Sequence, residues 1–487
     1  MNVIFYYKNK QYRVATFLCI MVALSYMVIC YNAEYSDGFE RLEQGVLHMP
    51  LIEEEESTRI EPNWESIDKR PIPKWYEDAK FGIFIHWGVY SVPSFKNEWF
   101  WYGLENRRSV FVEFMKKNYP PNFTYQEFAS ELTGEFFNAT QWAEIFENSG
   151  ARYIIFTSKH HEGYTMWPSS YSYNWNSGAL GLKRDVVGEL AEAVRSKTKL
   201  HFGLYYSLLE WFHPLHLSDI AADLKTQLFV DQKLIPEMKE LVIKYKPEIF
   251  WSDGGWFQPH SYWKSTEFLA WLYNSSPVKD TVVVNDRWGT NMDCHHGGYL
   301  TCRDPDELLS RKWENAMTID KYAWVFRREA NIKDFLTIEE ILTTIAQTVS
   351  FNGNIALNVG ITKEGTISPI YQERLADLGK WLNINGQAIY STRHWSHCQR
   401  DSMAEKVWYT AKAKGYKTDV FAIVLEWPKV GYIDLGCLQA KIIETISMLG
   451  VQGSLKFEPQ AASTRIYFPN KVNTSNDWAW CLLISYY

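Results

Sequence analysis

EIFWSDGG, at Glu248–Gly255, shows the pattern that decides the fold of this 487-residue chain: an apolar run that ends in a carboxylate and two glycines. Such a run, apolar without alternation, is typical of a parallel strand that is buried on both faces. Five other runs share the pattern: FGIFIHWG (Phe81–Gly88), YIIFTSKHH (Tyr153–His161), HFGLYYS (His201–Ser207), TVVVNDRWG (Thr281–Gly289) and NIALNVG (Asn354–Gly360). A parallel sheet is therefore predicted.

Amphipathic helices are predicted between these runs, at Gln141–Asn148, Asp185–Lys199 and Ile235–Lys246. Gly150 follows the first helix at the usual place for a left-handed residue, and Pro247 stops the third. Strands that alternate with helices indicate βαβ units. Because no G-x-G-x-x-G follows the first strand, we predict a (β/α)8-like barrel rather than a dinucleotide-binding fold.

The N-terminal part of the chain is not predicted to belong to the barrel. Residues 1–32 contain a basic stretch and an uncharged apolar run, VATFLCIMVALSYMVIC, which predict a secretory signal peptide or, alternatively, an uncleaved membrane anchor. Residues 33–60 include EEEE at Glu53–Glu56 and are predicted to form a solvated acidic linker. The barrel is then expected to occupy residues 61–392.

A different pattern begins near residue 393. Val407–Tyr409, Val420–Trp427 and Thr464–Phe468 resemble β-strands without helices between them. We therefore predict a C-terminal β-sandwich at residues 393–487.

Four N-x-[ST] sequons support a glycoprotein of the secretory pathway, destined for the lysosome or the extracellular space; they are at Asn122, Asn138, Asn274 and Asn473. Of the seven cysteines, Cys19 and Cys30 lie in the predicted signal region, which leaves an odd number. At least one of the others must be free or pair between chains. The spacing of Cys294 and Cys302 suits a small disulfide loop, and the other pairings stay open.

Composition narrows the class of function. A net charge of −7 argues against a nucleic-acid surface, which would be basic. Aromatic residues make up 16% of the chain, and their faces pack against the apolar faces of sugars, which points towards a carbohydrate-handling protein, although on composition alone an aromatic core is the favoured explanation. His160 and His161 would point to opposite faces of a strand, and no H-E-x-x-H or C-x-x-C is present, so no metal and no cofactor are predicted.

Polar groups gather where the predicted strands end: His86, His160, His161, Tyr205, Tyr206, Asp253 and Arg287. Barrel active sites are assembled at these carboxyl ends. A retaining glycosidase needs a nucleophilic carboxylate and an acid/base carboxyl. Asp253 suits the nucleophile, although a capping role is the alternative. Glu314 and Asp304 are both candidates for the acid/base, and either could instead be a surface carboxylate paired with a neighbouring cation.

Several ordered motifs resemble the α-L-fucosidases of glycoside hydrolase family 29, animal tissue type. They are FGIFIHWGVYSVPSF, EWFWYG, SKHHEGYTMWPS, GLYYSLLEWFHPL, IFWSDGGW, SPVKDTVVVNDRWG and, around the K-W-E signature, PDELLSRKWENA. The resemblance covers residues 64–391 densely. It implies a retaining exo-hydrolase that removes terminal α-L-fucose from glycoproteins, glycolipids and oligosaccharides, with a (β/α) barrel, a C-terminal β-sandwich and the nucleophile at Asp253. It also implies a homotetramer. Membrane contact is expected only through the N-terminal segment, if the apolar run there is not cleaved.

The resemblance further implies a fucose pocket lined by His86, Glu98, Trp99, His160, His161, Tyr206 and Arg287, with Tyr205 as the alternative to Tyr206 because strand alternation admits only one of them. It favours Glu314 over Asp304 as the acid/base. Two departures stand out: Ala316 replaces the Cys that ends the signature, and Gly255 stands where animal relatives often carry an acidic residue. A lectin-like fucose-binding protein on the same scaffold is the alternative function, which the intact Asp253 disfavours.

Overall fold

The computed structural model describes residues 59–302, 307–415, 417–471 and 477–486. The predicted signal peptide, most of the acidic linker, Asp304 and the sequon at Asn473 lie outside the described residues. In the part of the chain that is described, no helix has the length and apolar character needed to cross a membrane.

Seven parallel strands form the main sheet, in the order β5-β4-β3-β2-β1-β7-β6. Their bounds are β1 Phe81–His86, β2 Tyr153–Lys159, β3 His201–Ser207, β4 Ile249–Asp253, β5 Val283–Val284, β6 Trp313–Thr318 and β7 Gly353–Gly360. The parallel sheet predicted from the apolar runs is confirmed. The strand predicted at Thr281–Gly289 shrinks to two paired residues, and β6 is a strand that the apolar runs did not predict, since its sequence WENAMT is mixed in polarity.

A two-residue segment, Tyr299–Leu300, closes the sheet between its edge strands β5 and β6. The Tyr299 amide donates to the Val284 carbonyl at 3.1 Å, and the Leu300 amide donates to the Lys312 carbonyl at 2.9 Å. The Glu314 amide returns a bond to the Leu300 carbonyl at 2.8 Å. We call this segment the seam. It occupies the eighth position of a (β/α)8-like barrel, which confirms the predicted fold class.

Helices alternate with these strands and pack outside the sheet. Within the described residues they are Trp64–Ile67, Lys74–Ala79, Phe100–Glu105, Ser109–Asn118, Phe128–Glu131, Ala139–Asn148, Val186–Lys197, Pro214–Ala221, Ile235–Tyr245, His260–Trp263, Ser265–Asn274, Ile338–Ser350 and Pro369–Asn385. The three predicted helices are all present. Asp185 caps Val186–Lys197 by accepting from the Gly188 amide at 2.9 Å, and Ile235–Tyr245 ends at a left-handed Lys246 just before Pro247.

The C-terminal region consists of two antiparallel sheets, as expected of a β-sandwich. Strands β8 to β15 are Arg393–His394, Val407–Lys414, Lys417–Val424, Tyr432–Leu435, Ile443–Met448, Phe457–Pro459, Thr464–Tyr467 and Trp480–Tyr486. One sheet has the order β12-β15-β10-β9-β8 and the other β11-β14-β13. Val420 and Ile446 of the first sheet share a buried core with Leu435 and Ile466 of the second. The predicted β-sandwich is confirmed.

Candidate active site

A cavity of about 320 Å³ opens at the carboxyl ends of the barrel strands. Its lining is aromatic and polar in roughly equal parts: Phe84, His86, Glu98, Trp99, His160, His161, Tyr205, Trp251, Asp253, Trp256, Arg287, Thr301, Cys302, Ala316 and Trp324. This end of a barrel is where active sites are built, because the loops that follow several strands converge there. The volume suits a small ligand such as one sugar ring, at the lower end of the range of about 300–1,000 Å³ for ligand pockets.

Asp253 is the last residue of β4, and its carboxylate lies on the cavity wall. The Tyr205 hydroxyl donates to Oδ2 at 2.8 Å, and Arg287 Nη1 donates to Oδ1 at 3.3 Å. Burial by itself disfavours a charged Arg287, but Asp253 and Asp286 outweigh it and raise the pKa of the guanidinium. The carboxylate is thus fixed by one neutral and one cationic donor while it remains open to the cavity.

The two glycines after Asp253 are required by close backbone approaches. Gly254 has φ +76, and a Cβ there would lie 2.7 Å from Ser207 Oγ. A Cβ on Gly255 would lie 2.7 Å from the Gly289 amide nitrogen. Any side chain at position 255, an acidic one included, would therefore clash with the backbone in this conformation.

His86 presents an unprotonated Nε2, as its other hydrogen bond shows. Its Nδ1 lies 2.7 Å from Asn358 Oδ1. The amide nitrogen of Asn358 donates to the Trp324 carbonyl at 2.6 Å, which fixes Oδ1 as an acceptor and places the proton of His86 on Nδ1. Burial, with His160 nearby, lowers the pKa of His86 to about 3. His86 is therefore a neutral acceptor for a ligand hydroxyl.

His161 has the same tautomer for a different reason. Its Nδ1 lies 2.6 Å from Ser207 Oγ, and that hydroxyl donates to the Leu209 carbonyl at 2.7 Å, so Nδ1 must be the donor. Burial and the neighbouring His160 lower the pKa of His161 well below its usual value. The bare Nε2 lies 3.8 Å from Asp253 Oδ2. A ligand hydroxyl near these two atoms can donate its single proton to one or the other of them.

Both His160 and His161 line the cavity, contrary to the prediction that they face opposite sides of a strand. Strand β2 ends at Lys159, and its pairing with β3 shifts register between Thr157 and Lys159. The two residues thus lie beyond the strand, where alternation no longer applies, and their ring centroids are 4.0 Å apart.

Glu98 and Trp99 come from the loop after β1. Glu98 is buried, its Oε2 has no hydrogen-bond partner, and burial raises its pKa. Trp99 stacks on Trp256, with ring centroids 5.8 Å apart. Among the described residues, Glu98 and Asp253 are the carboxylates that line the cavity.

Tyr205, not Tyr206, faces the cavity, so the prediction for Tyr206 is wrong. The Tyr206 hydroxyl donates to Glu237 Oε2 at 2.8 Å, and Lys159 Nζ lies 4.1 Å from the centre of its ring, on the outer side of the sheet. Strand alternation admits one of the two tyrosines, but only the structure shows which one.

Glu314 lies beneath the floor of the cavity, which contradicts its assignment as the acid/base. Its Oε2 accepts from the hydroxyls of Tyr76 and Tyr153 at 2.8 and 2.7 Å, and its Oε1 accepts from Trp251 Nε1 at 3.0 Å. The Trp251 ring lines the cavity and separates the Glu314 carboxyl from it. A carboxyl that is already bonded to three donors, with an indole above it, cannot reach a leaving group. The rival, Asp304, lies outside the described residues.

Several lining residues were not predicted. Trp251 precedes Asp253 by two positions on β4, so strand alternation could have found it. Thr301 and Cys302 follow the seam, and Thr301 Oγ1 accepts from Arg287 Nε at 2.9 Å. The Cys294–Cys302 disulfide ties this wall of the cavity, as the spacing of the two residues suggested.

The other cysteines and sequons in the described part of the chain do not line the cavity. Cys398 pairs with Cys437, and Cys481 is free and buried. Asn122 and Asn138 are exposed. Asn274 is half-buried and pairs with the backbone of Ile60: its Nδ2 donates to the carbonyl at 2.7 Å, and its Oδ1 accepts from the amide at 3.0 Å.

Comparison with known proteins identifies the family of this chain. The "Alpha-L-fucosidase" family matches residues 48–387, and the "Alpha-L-fucosidase C-terminal domain" matches residues 399–485. An alpha-L-fucosidase of Branchiostoma floridae is 51% identical over 87% of this chain and 95% of its own length. The human plasma alpha-L-fucosidase is 53% identical over 81% of this chain and 85% of its own.

A solved structure is also similar. The Thermotoga maritima alpha-fucosidase in complex with fucose superimposes with a TM-score of 0.74 at 32% identity, over 88% of this chain and all of that one. Matches of this extent to both the barrel and the C-terminal region establish the family. This chain belongs to the α-L-fucosidase family.

Proposed function

We propose that the protein hydrolyses terminal α-L-fucose from glycoproteins, glycolipids and oligosaccharides by double displacement, with Asp253 as the nucleophile. The observation that carries the proposal is the Asp253 carboxylate, fixed by Tyr205 and Arg287 on the wall of a cavity that fits one sugar ring. The similar proteins reported above are named as enzymes, and none of them lends support to a lectin.

The cavity would hold fucose through its hydroxyls and its methyl group. The unprotonated Nε2 atoms of His86 and His161 accept from sugar hydroxyls, and the open Oε2 of Glu98 offers a further polar contact. Trp251 and Trp324 supply apolar surface for the C6 methyl. His160, Trp99 and Arg287 complete the proposed binding set.

In the first step Asp253 attacks the anomeric carbon while an acid protonates the departing glycosidic oxygen, which gives a fucosyl-enzyme intermediate. The conjugate base then activates water, which releases fucose with its configuration retained. The Tyr205 and Arg287 bonds hold the carboxylate in line for attack. Burial raises the pKa of the Tyr205 hydroxyl, and Asp253 adds to the effect, so the phenol stays a neutral donor throughout.

We propose Asp304 as the acid/base. It follows two residues, Thr301 and Cys302, that line the cavity, and Glu314 is closed off beneath Trp251. Glu98, the other cavity carboxyl, is the competitor. Burial raises its pKa, which favours the protonated form that an acid needs.

Secretion or delivery to the lysosome is the proposed destination. Two disulfides are typical of an oxidising compartment, and the relatives include plasma and tissue enzymes. A homotetramer, an N-terminal signal at residues 1–32 that acts as a membrane anchor only if it is uncleaved, and the domain boundary at 392/393 remain predictions.

The test is release of 4-nitrophenol from its α-L-fucoside by the wild type and by Asp253→Ala, with and without azide. Loss of the nucleophile should lower kcat on the order of 10⁴-fold, and azide should restore part of it with formation of β-fucosyl azide. Unimpaired turnover in the variant would refute the role of Asp253. Folded wild type without turnover at acidic and neutral pH would favour the lectin.

A further inference from the structure

A second cavity, of about 350 Å³, lies on the same face of the barrel as the first. It is formed by the loops that follow β1, β2 and β3. Among the described residues, none lines both cavities. One of its residues, Glu162, also contacts the first site, since its Oε2 lies 3.2 Å from His160 Nδ1. The proposed reaction assigns no role to the other residues of this cavity, so their composition requires another explanation.

Neighbouring positions of the same loops are divided between the two cavities. Trp99 lines the first and Trp101 the second, and likewise His161 lines the first and Glu162 the second. Trp211 forms the partition: its ring centroid is 5.2 Å from that of His161 on one side and 6.3 Å from that of Phe212 on the other. Each loop therefore presents residues to two adjacent sites.

The walls of the second cavity are aromatic. Trp101 and Phe212 pack together with centroids 4.5 Å apart, and Tyr173 stands at the rim with 89% of its surface exposed. A tyrosine that exposed contributes nothing to the core, but its ring is free to cover a ligand. Aromatic faces of this kind suit the C–H faces of a pyranose.

The floor of the second cavity carries two buried carboxylates, Glu162 and Glu210, with 5% and 4% exposure. Lys159 at 2.7 Å and Lys233 at 3.1 Å both reach Glu210 Oε1, so Oε2 is left as an acceptor. Burial alone would raise the pKa of Glu210, but the two lysines outweigh it and lower it to about 2. The two lysines thus favour the ionised form of this carboxyl, which accepts from hydroxyl donors.

We infer that this second cavity binds a neutral sugar ring other than the fucose that is cleaved, a hexose or N-acetylhexosamine of the fucosylated glycan. Aromatic walls over an accepting polar floor fit a ring with apolar faces and hydroxyl edges. Lys233 also lines the cavity, but its ammonium group is paired with Glu210 and Glu237 and is not a free partner for an acidic sugar, so a neutral ring is favoured. The inference rests on the proposed function for its choice of ligand class.

The experiment uses a fucose-free N-acetyllactosamine tetrasaccharide, titrated calorimetrically into the full chain with L-fucose at saturation. Gln126→Ala/Tyr173→Ala removes one exposed polar and one exposed aromatic wall residue. Phe136→Ala removes an exposed aromatic that lines neither cavity and is the matched control. The wild type and the control should bind alike, and the double variant at least about 5-fold more weakly, the loss expected for one or two such contacts.

Three outcomes would overturn the inference: no binding to the wild type, binding that L-fucose displaces, or binding that the double variant leaves intact. Turnover of the aryl α-L-fucoside is measured on the same preparations and should be unchanged in both variants. If the wild type fails to turn over this substrate, the proposed function is refuted, whereas the binding result is unaffected. A fall in kcat/KM for a fucosylated glycan, but not for the aryl fucoside, would show that both rings belong to one substrate.

Discussion

Asp253 and Glu314 are both buried carboxylates on strands of one barrel, but only the first lines the cavity. Asp253 ends β4 at the cavity and receives one bond on each oxygen. Glu314 is the second residue of β6, and three donors occupy its oxygens beneath Trp251. Burial and residue type do not separate the two. What separates them is position along the strand, which decides whether a polar group meets the ligand or is already bonded within the protein.

The largest effect is expected from a comparison of acid/base candidates with good and poor leaving groups. Asp304→Ala should lower kcat/KM for a fucosyl disaccharide by about 10²–10⁴-fold and that for a dinitrophenyl fucoside far less, because the latter needs no protonation. Glu314→Gln should affect both substrates equally. Initial rates on the two substrates provide the measurement.

Glu98→Gln is the rival variant in that series, since Glu98 is the carboxyl besides Asp253 that lines the cavity among the described residues. If Glu98→Gln, and not Asp304→Ala, shows the dependence on leaving group, the acid/base is Glu98. If Glu314→Gln lowers kcat/KM for the disaccharide but not for the dinitrophenyl fucoside, Glu314 takes part in protonating the leaving group. The distinction between carboxylates at the cavity and in the barrel interior would then be wrong.

Glu314→Gln, which should have no selective effect on catalysis, should have a large effect on stability. Glu314→Gln replaces one acceptor oxygen by an NH₂ group that faces existing donors, so the free energy of unfolding should fall by about 3 kcal/mol. Urea unfolding measures this change. Glu339→Gln, at an exposed position, is the control and should stay close to the wild type. An unchanged midpoint for Glu314→Gln would show that the three bonds contribute little.

The lowered pKa of the buried His86 side chain predicts a pH dependence of stability. Its folded pKa of about 3 lies below the ordinary 6.5. As the pH falls below 6.5, the unfolded state takes up a proton that the folded state refuses, so this contribution to stability declines by about 1.4 kcal/mol per pH unit. His86→Gln should therefore flatten the fall of Tm between pH 6.5 and 4.

The exposed His295 supplies the control for this series, and His295→Gln should keep the wild-type slope. Thermal unfolding at closely spaced pH values gives both slopes. If the slopes of His86→Gln and the wild type coincide, the buried imidazole does not resist protonation.

The smallest effect is expected at the sequons. They too differ in whether the polar group is available or is already bonded within the protein. Asn138 Oδ1 accepts from the Gln141 amide at 3.0 Å, which leaves its exposed amide nitrogen available for a glycan. Asn274 uses both amide atoms on Ile60, and a glycan would replace the hydrogen that this pairing needs. Mass spectrometry of peptides should find glycans at Asn122 and Asn138 and none at Asn274. An occupied Asn274 would require the pairing with Ile60 to be absent.

The fold could be predicted because its strands carry their own signal. Runs such as Phe81–His86 are apolar on both faces, and every residue of β1 is buried. The strand β6 could not be found in this way, because WENAMT places Glu314 inside the barrel, where only Tyr76, Tyr153 and Trp251 make a carboxylate tolerable. Those partners are more than 60 positions away in sequence, so no local pattern predicts them.

The site could be predicted in its chemistry but not in its orientation. Asp253, His86 and Arg287 stand at strand ends, and the structure brings them to one cavity. Which of Tyr205 and Tyr206 faces the cavity depends on how β3 pairs with the neighbouring strands. The register shift between β2 and β3 likewise cannot be recognised from the residues themselves. Trp324 reaches the cavity from the loop after β6, which the sequence did not identify as part of the barrel.

The seam at Tyr299–Leu300 should open locally more readily than the rest of the barrel. Strand β1 is bonded along its length to β2 and β7, whereas the seam joins β5 to β6 through a few amides. Local opening begins where the fewest backbone bonds must break, so the amide protons of Leu300 and Glu314 should exchange with solvent before those of β1. Thr301 and Cys302 continue from the seam into the cavity wall. A sugar bound in the cavity would therefore slow this amide exchange and reduce local opening of the barrel at the seam.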